Sequence, residues 1–175
     1  TLEGAFEVTD TRADHIRITN EAPSTRVQEY TIVQASIRDP VGQLVEMEAP
    51  ITVRVDGVQT TPPSWGFDFG DIEAPQMLDS GDGFSGNIGP SGEVYFGFKS
   101  DVPGEFWLNV DVSVRERVTL SATALVQFQA GNVAGLEITP VDDADTRIAG
   151  DSFDVDLRLV DQIGNTVSGT VASVL

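Results

Sequence analysis

The stretch VDQIGNTVSG, residues 160–169, separates two runs of alternating apolar and polar residues, FDVDLRLV and TVSGTVASVL. Its Gly-Asn pair is typical of a tight turn between two β-strands. A related stretch, RDPVGQLVEM, occupies residues 38–47, and both contain the pattern D-x-x-G-x-x-V. One constant offset, 161 − 39 = 122 residues, relates the matching positions, which are Asp39, Gly42 and Val45 in the first copy and Asp161, Gly164 and Val167 in the second. The two turns therefore predict an internal repeat.

The match extends outward from the turns. Residues 13–55 can be laid over residues 133–175, and TLEGAFEVT at 1–9 resembles TLSATALVQF at 119–128. We therefore predict three parts: residues 1–12 as the last strand of a preceding unit with its linker, residues 13–129 as a complete unit, and residues 130–175 as the first part of a following unit. A repeat of about 120 residues with short joints predicts a semi-rigid rod.

Every segment of the chain has a strand pattern. HIRIT, YTIVQASIR, ITVRV, EVYFGF, EFWLNVDV and ATALVQF alternate apolar and polar residues or are rich in β-branched and aromatic residues. Clusters of Gly, Pro, Asp and Asn separate them, and no window has a helical period. The pattern predicts an all-β fold, an antiparallel β-sandwich of about seven strands.

Charge and composition exclude several classes of partner. The chain has 28 acidic and 10 basic residues and a net charge of -18, so phosphate backbones and anionic membrane surfaces would be repelled. We expect no nucleic-acid partner and no membrane insertion, because no run approaches the ~20 apolar residues of a membrane span. The absence of cysteine excludes disulfides and thiolate zinc sites.

These motifs resemble a known family, the bacterial Ig-like repeats of the invasin and intimin kind. The resemblance rests on the D-x-x-G-x-x-V turns and on GNIGPSGEVYFGFKSDVPGEFWLNVDV, residues 86–112, in which turns and strands follow in that family's order. The long stretch from 57 to 90 departs from the family pattern. The resemblance implies an Ig-like β-sandwich in tandem repeats and a role as an extracellular stalk or adhesin segment.

The sequence offers no catalytic constellation. The single histidine, His15, has no cysteine to activate, and neither H-E-x-x-H nor G-x-S-x-G occurs. We interpret His15 as a surface or strand-edge residue and the protein as a non-enzyme that requires no cofactor.

Calcium is the candidate ligand of two acidic groups. Carboxylate oxygens are the donors that this hard cation prefers, and glycines let a loop bring them together. The alternative is a solvated loop in an acidic protein that stays hydrated in high salt. The two groups are Asp68, Asp71, Asp79 and Asp82, and then Asp142, Asp143 and Asp145, with Asp151 nearby.

The segment from 57 to 90 is predicted to be a long connection. Loops of this length are unusual in compact domains and often carry function. It contains four aromatic residues that can stack on a sugar ring. The alternative is that these residues pack at one end of the sandwich or form an irregular strand. These candidate ligand-binding residues are Trp65, Phe67, Phe69 and Phe84.

Three hypotheses for function follow. The first is a non-catalytic stalk or fibre segment of a large extracellular or cell-surface protein, whose partners are the neighbouring repeats of the same chain. The second is a carbohydrate- or protein-binding module, calcium-assisted or not, that uses the 57–90 connection to bind a host or cell-surface ligand. The third is a filament or surface-layer subunit whose last unit is completed by strands of another copy.

Overall fold

The computed structural model describes residues 12–57, 63–67, 72–141, 152 and 154–168. This part of the chain is built from strands and contains no helix, and hence none that could cross a membrane. The all-β prediction is confirmed. The strands are β1 (His15–Asn20), β2 (Thr25–Arg26), β3 (Thr31–Arg38), β4 (Ala49–Gly57), β5 (Ser64–Phe67), β6 (Ile72–Met77), β7 (Gly83–Ile88), β8 (Glu93–Lys99), β9 (Gly104–Arg115), β10 (Val118–Gln129), β11 (Gly135–Pro140) and β12 (Val155–Val160).

Ten of these strands form two sheets of a β-sandwich. One sheet has the order β1-β3-β8-β5 and the other the order β2-β10-β9-β4-β7-β6. Neighbouring strands are antiparallel except for the short β2, which pairs in parallel with the end of β10. The inward residues of both sheets form one core, and its fully buried members include Val33, Ile37, Phe96, Val53, Phe84, Leu108 and Val110.

The segment from 57 to 90 is not one long connection, and the described residues alone give the sandwich ten strands rather than about seven. β5 extends the smaller sheet at its edge, and β6 and β7 extend the larger sheet beyond β4. These strands are short, and the pairing of β6 with β7 is interrupted between Glu73 and Gln76. Because bulges and prolines belong to edge strands, this region lacks the alternation that marks the central strands.

β11 and β12 form a separate hairpin beyond the sandwich. Its register runs from Gly135 opposite Val160 to Pro140 opposite Val155. The β1–β3 pair runs from His15 opposite Arg38 to Asn20 opposite Val33. The two pairs of strands therefore have the same register when residues of β1 are shifted by 120 positions and residues of β3 by 122. The side chains that are core in the first pair are exposed in the second, since Leu136 is 54% exposed and its counterpart Ile16 only 7%.

The chain enters and leaves the sandwich at opposite ends. Ala13, just before β1, shares a surface cleft with Val114 and Arg115 at the end of β9. The last residues of β10, Phe128 and Gln129, pair with β2 at the other end.

Candidate functional site

The first turn, residues 39–45, is closed by its own carboxylate. Oδ1 of the buried Asp39 accepts hydrogen bonds from the backbone N–H groups of Val41 at 3.0 Å and Gln43 at 2.7 Å. The N–H of Asp39 donates to the carbonyl of Gln43 at 2.9 Å. Gly42 has φ of +85°, a conformation that glycine adopts without steric cost. A buried carboxylate thus has its partners within the turn.

The second turn, residues 161–167, has the same geometry. Oδ1 of Asp161 accepts from the backbone N–H groups of Ile163 at 3.1 Å and Asn165 at 2.9 Å, and Gly164 has φ of +89°. The N–H of Asp161 donates to the carbonyl of Asn165 at 3.0 Å. The interpretation of both glycines as tight-turn residues is confirmed.

The second oxygen of Asp161 binds the linker that joins the hairpin to the sandwich. Asp161 Oδ2 accepts from the N–H of Gly131 at 2.9 Å and from Nδ2 of Asn165 at 3.1 Å. Burial of this carboxylate would raise its pKa, but the hydrogen bonds from Gly131, Asn165 and Ile163 outweigh that effect. The pKa of Asp161 is therefore held below its ordinary value of 3.8, and the group is ionised at neutral pH.

Asn165 extends the contact from the hairpin to the sandwich itself. Its Nδ2 donates to the backbone carbonyl of Asp101, in the loop between β8 and β9, at 2.8 Å. A cleft of about 280 Å³ lies beside this contact, lined by residues 26–29 of the sandwich, residues 131–134 of the linker and residues 161–163 of the turn. We call these three segments and Asp101 the joint. Its polar contacts tie the hairpin to the linker and to the sandwich.

Three of the four predicted ligand-binding aromatics lie in one cluster. The ring of Trp65 is 5.2 Å from that of Phe84, and the ring of Phe67 is 4.7 Å from it, both edge to face. Phe84 is fully buried, so the structure gives it a packing role and leaves it no surface for a ligand. Trp65 and Phe67 are only partly buried, and Nε1 of Trp65 has no hydrogen-bond partner among the described residues. Phe69 lies outside the described residues.

The candidate calcium ligands are only partly described. Asp79 and Asp82 lie in the turn between β6 and β7, where Gly81 has φ of +74° and the hydroxyl of Ser80 donates to Asp82. Within the ranges given above, no three His, Asp or Glu side chains are grouped closely enough to hold a metal ion. The other candidates, Asp68, Asp71, Asp142, Asp143, Asp145 and also Asp151, lie outside the described residues. Calcium binding stays a prediction.

His15 is a surface residue on an edge strand. It begins β1, which is the outer strand of the smaller sheet, and its side chain is exposed. Its Nδ1 is 3.1 Å from Oδ2 of the neighbouring Asp14. The interpretation of this histidine from the sequence is confirmed.

The sequence did not identify Asp161 and Asn165 as contacts between two parts of the chain. The sequence explains Asn165 by chain reversal and marks Asp161 only as the repeat of Asp39. The one available signal was the repeated aspartate, because a carboxylate has two oxygens and the turn occupies only one of them. The second oxygen is free to bind whatever backbone lies next to the turn, which here is the linker.

Comparisons with known proteins agree with the sandwich fold. No known protein-family model matches the sequence, and no curated protein sequence matches it. Among solved structures, the chain is similar to the Escherichia coli adhesin FdeC, with 13% identity over 90% of this chain and 44% of that chain and a TM-score of 0.50. It is also similar to domains 5–6 of the S-layer protein SbsC, with 17% identity over 90% of this chain and 66% of that one and a TM-score of 0.41.

A cohesin module from Clostridium perfringens is a third similar structure, at 7% identity, 68% coverage of this chain and 98% of that one, and a TM-score of 0.49. The chain spans less than two thirds of the FdeC and SbsC chains. At such identities the likeness concerns the fold alone. The two packed sheets, together with the likeness to FdeC, give the chain the Ig-like antiparallel β-sandwich fold.

Proposed function

We propose that the chain is a segment of tandem Ig-like repeats, of the kind that invasin and intimin carry, in an extracellular or cell-surface protein. In this role it is a semi-rigid, non-catalytic stalk or fibre segment in adhesion or surface assembly. The observation that carries the proposal is the joint, in which Asp161 binds the N–H of Gly131 and Asn165 binds the carbonyl of Asp101. The likeness to the adhesin FdeC supports only the fold on which the proposal rests.

The repeat itself is supported by the two hairpins. β1–β3 and β11–β12 have equivalent registers, and each is followed by a turn with the same carboxylate hydrogen bonds. A five-residue linker, 130–134, separates β10 from β11. A linker this short, held by a side chain of the following unit, restricts bending between neighbours.

The joint can be tested in the chain as it is. Residual dipolar couplings measured by NMR should give one common alignment tensor for the sandwich and for β11–β12. The double variant Asp161→Ala, Asn165→Ala should separate the two tensors while the couplings within the sandwich stay unchanged. Asp156→Ala, which removes the same charge from an exposed position on the same hairpin, is the matched control. Independent tensors in the unaltered chain would contradict the proposal.

A second candidate function, self-assembly, is favoured by the open face of β11–β12. Leu136, Ile138, Val155 and Leu157 are exposed there, whereas their counterparts in the sandwich are covered by the opposite sheet. An apolar sheet face needs such a cover, supplied by the same polypeptide or by another copy. If copies cover one another, the molar mass measured by light scattering should rise with protein concentration. The double variant Ile138→Thr, Leu157→Thr should keep the mass of a monomer at every concentration.

Val41→Thr, at an exposed apolar position of the first turn, serves as the control for that experiment. A chain that remains monomeric at all concentrations would contradict assembly through this face. It would leave the stalk proposal intact, because the joint is measured within one molecule.

A further inference from the structure

Trp107 lies on the outer face of the larger sheet and is half exposed. In β9 the residues from Phe106 to Val114 alternate strictly, with the even positions in the core and Trp107 pointing the other way. Its cross-strand neighbours are Leu125 of β10 and Asp56 of β4. Trp107 is thus in the middle of the sheet rather than at an edge, and it makes no ring contact with another aromatic residue of the described chain.

An exposed tryptophan at this position leaves a large apolar ring in water. Trp65, by contrast, packs against Phe84, Phe96 and Phe98. Among the described residues, Leu125 is the large apolar neighbour of Trp107 on the same face, and it is 38% exposed. The exposed ring is therefore not explained by packing in the core, and a small apolar surface remains that a ligand can cover.

Polar side chains surround this ring and hold one another in place. Nδ2 of Asn109 donates to Oδ2 of Asp56 at 2.6 Å, and Oγ1 of Thr123 donates to Oδ1 of Asn109 at 2.8 Å. On the other side of the ring, Nε2 of Gln127 donates to Oε1 of Glu105 at 2.9 Å. These bonds fix the side chains before any ligand arrives, and carboxylates and amides can accept or donate further hydrogen bonds.

We infer that this face of the larger sheet is a carbohydrate-binding site. Its ligand is an uncharged polysaccharide built from pyranose sugars. The ring of Trp107 would stack on the apolar face of one sugar, because an aromatic ring and the C–H face of a pyranose are flat and similar in size. Asp56, Asn109, Glu105 and Gln127 lie where they would hydrogen-bond the hydroxyl groups at the edge of that sugar. This site lies on the larger sheet, apart from the aromatic cluster around Trp65.

Charge and size select this ligand over others. The face carries the carboxylates of Asp56, Glu105 and Asp111 against one neighbouring cation, the exposed Arg54 opposite Asn109. The carboxylates are in excess there and the chain as a whole carries a net charge of -18, so a uronic-acid polymer or a nucleic acid would be repelled. A protein interface needs a broad desolvated apolar centre, whereas this face offers only Trp107 and Leu125 within a polar surround. A neutral sugar requires only one stacking surface and several hydrogen bonds.

The test uses the indole N–H signals of the two tryptophans in NMR spectra of the full chain. Neutral hexasaccharides of glucose, mannose and N-acetylglucosamine are added to millimolar concentration, with an alginate hexasaccharide as the anionic comparison. At least one neutral sugar should shift the Trp107 signal, whereas the Trp65 signal and the alginate titration should stay unchanged. In Trp107→Ala, binding is followed by the backbone amide signals of Asn109 and Gln127 instead, and it should weaken by about tenfold or more.

A second variant and a control separate binding from folding. Asn109→Ala should weaken binding severalfold while keeping the circular dichroism spectrum, and Val41→Ala, exposed elsewhere, should change nothing. The inference is overturned if no neutral sugar shifts the Trp107 signal, or if Trp107→Ala binds as tightly as the unaltered chain. It is also overturned if the signal shifts with protein concentration alone, since the face would then be a contact between copies.

Discussion

Gly42 and Gly92 both have positive φ, but they differ in the space around them. At Gly42, φ is +85° and a Cβ atom would meet nothing within 4 Å. At Gly92, φ is +70° and a Cβ atom would lie 2.0 Å from the carbonyl oxygen of Val45. Gly42 is therefore required only for its backbone conformation. Gly92 is required for its conformation and also because two backbone segments approach closely there.

We expect Gly42→Ala to lower the free energy of unfolding by about 1 kcal/mol, which is the cost of a left-handed conformation for alanine. Gly92→Ala should cost on the order of 3–4 kcal/mol, because the backbone at Val45 must move as well. Urea unfolding followed by tryptophan fluorescence measures both changes. Equal losses would contradict the close approach at Gly92.

The ionisation of Asp161 makes the joint sensitive to acid. Its folded-state pKa is below its ordinary value of 3.8, so the carboxylate stabilises the joint fully above about pH 4. That contribution is lost as pH falls through the still lower folded pKa. We expect amide exchange at Gly131 to be slow from neutral pH down to about pH 4, after correction for the intrinsic rate, and to accelerate below that.

Asp161→Asn should abolish this acid dependence, because the asparagine side chain does not titrate. Asp156→Asn should retain it. Acid-independent protection of Gly131 in the unaltered chain would show that the hydrogen bond to Asp161 does not hold the linker.

The central strands and the edge strand β1 could be predicted from the sequence, whereas β2, β5, β6 and β7 could not. β3, β4, β8, β9 and β10 alternate because each lies in a sheet with one face on the core, and that pattern is local. In β6 and β7 the alternating pattern is broken by residues whose identity is determined by contacts with segments distant in the sequence. A Cβ atom at Gly83 would lie 2.1 Å from the carbonyl oxygen of Val53, and Ala74 has φ of +48°.

The same limit applied to the joint. The position of the second turn followed from the repeat of Asp39 as Asp161. The bond from its other oxygen to Gly131 depends on where the linker folds back, which no local pattern in the sequence encodes.

β6 and β7 should differ sharply in what they contribute to stability. Phe84 of β7 is fully buried, and Met77, directly opposite it on β6, is half exposed. Phe84→Ala should lower the free energy of unfolding by about 3–5 kcal/mol because it opens a cavity among the packed rings. Met77→Ala should lower the free energy of unfolding by less than about 1 kcal/mol, because the Met77 side chain is already half exposed to solvent. Similar losses in urea unfolding would contradict the placement of these strands.

The charge of the whole molecule sets its response to salt. With 28 acidic against 10 basic residues, mutual repulsion destabilises the folded chain, and salt screens it. We expect the melting temperature to rise between about 0.05 and 1 M NaCl, where the screening length falls severalfold. Calcium chloride at matched ionic strength gives the same rise if screening is the only effect of the cation.

The calcium comparison separates screening from binding. A larger rise with calcium would contradict screening alone and support a cation site among the predicted aspartates. No rise with either salt would contradict the role given to self-repulsion.

The entry and exit of the chain at opposite ends of the sandwich determine how a pulling force would act on it. β1 and β10 run in the same direction along the sandwich, so tension on the two ends pulls β1 along its own axis against β3. The hydrogen bonds between antiparallel strands are perpendicular to that axis, and the whole β1–β3 register is therefore loaded in shear at once rather than unzipped bond by bond. A sandwich loaded in this way resists extension independently of how stable it is at rest.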